Sequence, residues 1–146
     1  MREIPLTMVS IKELQDSFDK EYKDLMEPRP EPGFSSLHVH LQKDLELSEP
    51  FKAAVIELTL EPLIYILFLM AEEGHVTEQH IDRDKQGPIR YHLPIYTGVT
   101  TLWEQDIANE MTEGSWYGPI TYWNKHSVEH TGGIRVHLVV EYEDIQ

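Results

Sequence analysis

The residues that first suggest chemistry are His80 and Asp82 in Gln79-His80-Ile81-Asp82. They stand two apart, so on a strand both side chains leave the same face. A further imidazole, with His126 the candidate, would put two histidines and one carboxylate on one side of a metal ion. That ligand set leaves the remaining positions of an Fe(II) ion open to a cosubstrate and dioxygen. His38 and His40 repeat the spacing, but no carboxylate or basic residue follows them in a supporting arrangement. Residues 36–41 read as a half-buried strand, with Leu37, Val39 and Leu41 inward and both histidines facing solvent.

Two later stretches each pair an arginine with a histidine. In Arg90-Tyr91-His92-Leu93-Pro94-Ile95, alternation sets Arg90 and His92 on one face and Tyr91, Leu93 and Ile95 on the other. In Ile134-Arg135-Val136-His137-Leu138, Arg135 and His137 oppose Val136 and Leu138. The apolar faces are core. Burying an arginine without an anion costs several kcal/mol, so an inward arginine calls for a carboxylate. Guanidinium groups bind carboxylates bidentately, which suits a dicarboxylate cosubstrate, although any of the many Glu or Asp residues could serve instead.

The elements that must position these groups follow from pattern. A helix is expected over 10–26: Ser10 caps it, Glu13 completes a capping box, and Ile11, Leu14, Phe18, Tyr22 and Leu25 form an apolar stripe to pack across a sheet. The proline-rich run 27–33 stops it. Ser48-Glu49-Pro50 opens a second helix over 51–60. Strands are expected at 63–70, 77–82, 89–97, 100–103, 116–123 and 134–142, with turns at Glu73-Gly74, 85–88, Thr97-Gly98, Glu113-Gly114 and Gly132-Gly133. Helices followed by many short strands suggest a sandwich or squashed barrel with the helices on one outer face.

The chain of 146 residues suits one domain, with residues 1–62 as N-terminal support and 63–146 as the β core. It has no cysteine, so disulfides, thiolate metal sites and cysteine nucleophiles are excluded, and any metal must be held by His, Asp or Glu. A net charge of −14 argues against a nucleic-acid partner. No apolar run is long enough to span a bilayer, and the start lacks the apolar region of a signal peptide, so a cytoplasmic location is expected. There is no Gly-x-Ser-x-Gly elbow and no phosphate-binding loop.

Taken in order, His80-x-Asp82, Arg90-Tyr91-His92-Leu93-Pro94-Ile95, Glu113-Gly114-Ser115-Trp116, His126-Ser127-Val128-Glu129 and Arg135-Val136-His137-Leu138 resemble one family. It is the aspartyl/asparaginyl β-hydroxylase family of Fe(II)- and 2-oxoglutarate-dependent dioxygenases. The resemblance runs from about residue 63 to 142. It implies a mostly β, double-stranded β-helix (jelly-roll, cupin-like) with one or two N-terminal helices on its outer face. It also implies iron held by His80, Asp82 and His126, the distal carboxylate of 2-oxoglutarate on Arg135, and Arg90 and His92 lining the same pocket. His130 stands where similar members usually have Asn and competes with His126. The family text after His126 and the spacing to Arg135 favour His126.

The implied reaction is hydroxylation by O₂ of a C–H bond in an amino-acid-like small molecule or a peptide's Asp/Asn-type side chain. Rival readings are a cupin-like metalloprotein with a different activity and a non-catalytic binding module. The domain is small for an oxygenase that must also shape a substrate pocket; short loops, or a dimer contributing a wall, would fit, and the sequence decides neither. His75, after a turn glycine, is expected to be exposed, and His137 is assigned no chemistry. Trp103, Trp116, Tyr117 and Trp123 are read as core first and as substrate walls second.

Overall fold

The computed structural model describes residues 1–42, 44–59, 63–80, 89–104, 106–121 and 126–143, with backbone alone at 63–64, 77–80 and 121. In chain order they form β1 (Arg2–Pro5), α1 (Ile11–Glu21), β2 (Glu27–Pro28), β3 (Phe34–His38), α2 (Glu49–Ile56), β4 (Leu63–Ala71), β5 (Val76–His80), β6 (Ile89–Tyr96), β7 (Val99–Glu104), β8 (Ile107–Met111), β9 (Ser115–Thr121), β10 (His126–Thr131) and β11 (Arg135–Tyr142). The strands pair antiparallel in two sheets, β1-β9-β6-β11-β4-β3-β2 and β5-β10-β7-β8. Among the described residues no helix is long and apolar enough to cross a membrane.

The helices cover the outer face of the larger sheet. The predicted capping box forms at α1: Ser10 Oγ accepts from the Glu13 amide at 3.2 Å, and Glu13 Oε1 accepts from the Ser10 amide at 3.4 Å. Leu14, Phe18 and Tyr22 bury the stripe. The chain then tightens into a 3-10 turn at Lys23–Leu25, so the last stripe residue, Leu25, is exposed instead of packed. From α2, whose first turn holds Pro50, Phe51 and Ala54 turn inward. Phe18, Tyr22 and Phe51 all meet Phe68 of β4, with ring centroids 5.3, 4.7 and 5.0 Å away.

β11 lies between β6 and β4 and is buried along its whole length. Its Val136, Leu138, Val140 and Tyr142 join the helix-side core, as do Tyr91, Leu93 and Ile95 of β6. The alternate residues of both strands therefore face the smaller sheet. That geometry sets polar groups in the space between the sheets.

The expected strands form to within a few residues wherever they are described, but β1, β2, β8 and β10 are additions. β10 reads as polar, His-Ser-Val-Glu-His-Thr, because two of its three buried positions are histidines. β8 is mostly exposed at the sheet edge. The turn at Thr97-Gly98 needs glycine: φ is +49°, and an added Cβ would lie 2.5 Å from the Thr131 carbonyl oxygen. The predicted turn at 85–88 lies outside the described residues.

Candidate functional site

Between the two sheets lies a cavity of about 300 Å³. β6 supplies Arg90 and His92, β11 supplies Arg135 and His137, and β10 supplies His126 and Val128. Leu67 and Leu69 of β4, Leu102 of β7 and Ile120 of β9 provide apolar wall. Arg29 and Glu31, from the proline-rich segment after α1, close another side. The polar faces read from the two Arg-x-His stretches thus meet in one place. They do so because β6 and β11 are hydrogen-bonded neighbours.

The two arginines differ. Arg90 is half-buried and its Nε donates to Glu141 Oε1 at 3.0 Å, across the β6–β11 pair. The protein itself thus supplies one carboxylate that an inward arginine requires. Arg135 is 5% exposed and, among the described residues, its Nε has no hydrogen-bond partner. Burial pulls its pKa down to about 10, opposed by the Glu31 charge. A buried guanidinium with an unmet donor is a site prepared for an anion.

The histidines are linked. His92 Nδ1 and His137 Nδ1 lie 3.1 Å apart, so one carries the shared proton. His137 is fully buried, and its Nε2 has no partner among the described residues. Burial first, then the neighbouring Arg135 charge, holds His137 well below the ordinary histidine range. Both causes favour the neutral imidazole.

His126 is buried on the cavity wall. In the β10–β5 register it stands opposite His80, so the two positions nominated as imidazole ligands are cross-strand neighbours. The backbone of β5 is described to His80, and Asp82 lies outside the described residues. Among the described residues no group of three His, Asp or Glu is placed to hold a metal ion. Of the nominated trio, only the His126 side chain is among them.

His130, four residues on, is occupied elsewhere. Its Nδ1 is 3.2 Å from Thr100 Oγ1 and its Nε2 bonds the Gly133 carbonyl. With both ring nitrogens engaged, it ties β10 to the adjoining turn and β7.

Two histidines depart from expectation. His38 faces the cavity and not solvent, because the strand ends there and a 3-10 turn at Val39–Leu41 carries His40 out to the surface. Burial lowers its pKa. His75 is not exposed: its ring stacks on Phe34, and its Nε2 meets Glu31 Oε1 at 3.1 Å. His137 carries the unmet nitrogen described above, and its i, i+2 spacing from Arg135 was the only sign of it in the sequence. Trp116 is core, its Nε1 donating to the Ala54 carbonyl at 2.9 Å. Tyr117 joins a second small core with Leu102 and Val128. Trp103 is half-buried outside the cavity lining, and Trp123 lies outside the described residues.

No protein-family profile matches the chain, and no curated protein sequence matches it. Solved structures do. A Pseudomonas putida prolyl-4-hydroxylase is 14% identical with a TM-score of 0.66, over 93% of this chain and 86% of that one. The Schizosaccharomyces pombe Cnp3 cupin domain is 11% identical with a TM-score of 0.53, over 82% of this chain and 68% of that one. A Pseudoaminobacter salicylatoxidans salicylate 1,2-dioxygenase is 11% identical with a TM-score of 0.51, over 89% of this chain but only 30% of that one. At such identities the likeness is one of fold. The chain has the mostly β jelly-roll of the cupins, with two α-helices among the described residues.

Proposed function

We propose that the protein is an Fe(II)- and 2-oxoglutarate-dependent dioxygenase. Its substrate would be an amino-acid-like small molecule or an Asp/Asn-type side chain of a peptide, hydroxylated at a C–H bond. The observation that carries this reading is Arg135, buried with an unmet donor in the cavity that His126 lines. The likeness to a prolyl-4-hydroxylase over nearly the whole chain supports it.

His80, Asp82 and His126 would hold the metal. Two imidazoles and a carboxylate suit Fe(II) and leave coordination positions free. When bound, iron and 2-oxoglutarate together activate dioxygen for hydroxylation, releasing succinate and CO₂. The chain's own part is binding and exclusion. Arg135 would take the distal carboxylate of 2-oxoglutarate in a charge-assisted, bidentate contact. His92 would line the same pocket. Arg90 is already paired with Glu141, so it would add less to cosubstrate binding than Arg135. Leu67, Leu69, Leu102 and Ile120 would keep the reacting centre dry.

The test is an anaerobic titration with Fe(II), then 2-oxoglutarate, followed by visible absorption. A saturable charge-transfer band that needs both components is expected. It should vanish in His126→Ala, and in Arg135→Ala it should require at least about tenfold more 2-oxoglutarate. An unchanged midpoint in Arg135→Ala would remove that residue from the site.

A second reading is a cupin-like metalloprotein with another activity, or with a binding role alone. It is favoured by the cupin domain among similar structures and by donor chemistry that suits Mn, Ni or Zn as well. It predicts metal binding with no conversion of 2-oxoglutarate to succinate.

A further inference from the structure

The Nε2 of His137 is buried, has no partner among the described residues and lines the cavity, two residues from the equally unmet Nε of Arg135 on the same face of β11. We infer that His137 is a second binding residue for the anion held by Arg135: its Nε2–H donates to the bound carboxylate, and its Nδ1 accepts a hydrogen bond from His92 Nδ1–H. This rests on the dicarboxylate reading above.

The tautomer follows from chemistry. A carboxylate is acceptor-only, so the nitrogen facing it must carry hydrogen. A neutral imidazole has one N–H, so His137 Nδ1 must then be the lone-pair side of its 3.1 Å contact with His92. His92 is therefore the donor in that pair, with its Nδ1–H turned to His137. His137 would thus act twice, as a ligand contact and as the residue that positions the His92 ring. A dry wall would explain neither unmet nitrogen. Buried polar atoms are seldom left without partners, and two beside one another in one cavity mark where a polar ligand belongs.

The experiment uses the full chain loaded with Zn(II) as a diamagnetic stand-in, titrated with 2-oxoglutarate, alongside His137→Asn and His137→Gln. An asparagine amide reaches the place of Nδ1 and a glutamine amide the place of Nε2. In the first variant 2-oxoglutarate affinity should fall at least about tenfold, and in the second it should stay within about threefold. Nitrogen-15 spectra of the wild type should show His137 protonated on Nε2 and bare on Nδ1, with the Nε2 signal moving as 2-oxoglutarate binds. The opposite tautomer, or equal affinity in all three proteins, would overturn the role of His137 while leaving the cosubstrate reading intact. No binding of 2-oxoglutarate to the wild type would overturn both.

Discussion

At the scale of single residues, the informative contrast is between histidines that resemble one another in sequence. His126 and His130 lie on one strand face, and both are buried. They part company through their neighbours: His126 opens onto the cavity, whereas His130 is held between Thr100 and Gly133. His126→Ala is therefore expected to lose metal binding. His130→Ala should keep it and instead lower stability by about 1–3 kcal/mol, the cost of leaving buried partners unmet. Metal titration and denaturant unfolding of the two variants would show this. The reverse pattern would exchange their roles. Arg90 and Arg135 give the same lesson, since tertiary surroundings, Glu141 among them, distinguish two arginines in similar Arg-x-His text.

At the scale of elements, the site depends on strand register, because a slip of one residue would turn Arg135 and His137 into the helix-side core. The turn at Gly98 leads into the smaller sheet. It holds β7 where Thr100 meets His130 across β10, and it has no room for a side chain. Gly98→Ala is expected to destabilise the protein by roughly 2–4 kcal/mol, from the left-handed backbone and the clash with the Thr131 carbonyl. Thermal unfolding would measure it, and a change under about 0.5 kcal/mol would show that the turn relaxes. Element by element, α1, α2, β4, β6 and β11 were legible because apolar periodicity marks them. β10 was not, since imidazoles replace apolar residues on its inner face.

At the scale of the molecule, the fold keeps two interiors apart. The helix-side core is aromatic and aliphatic, while the space between the sheets gathers Arg90 and Arg135, with the exposed Arg29 and Glu31 closing one side, in a chain with net charge −14. A buried guanidinium with an unmet donor in an otherwise acidic protein favours a small anion beside it.

Concentrating histidines there also links stability to pH. His137 and His38 both titrate below 6.5 when folded, chiefly through burial. The unfolded chain therefore binds more protons as pH falls below about 6.5, and stability declines in that direction. In metal-free protein, the stability lost between about pH 7 and 5 should be smaller in His137→Gln than in the wild type. Urea unfolding at the two pH values would test it. An equal loss would mean that His137 is protonated in the folded state.

The sequence by itself determined the fold class, the helix cap, most of the strands and the two Arg-x-His faces. These rest on local rules: alternation along a strand, periodicity along a helix, and chemistry carried by a few spaced residues. Only the tertiary structure decided that the two faces share one cavity, that Glu141 pairs with Arg90, that His38 looks inward, and that His137 is left with an unmet nitrogen. Each of those depends on which strand lies beside which and on what fills the space between sheets. Contacts made across tens of residues leave no periodic trace in the chain.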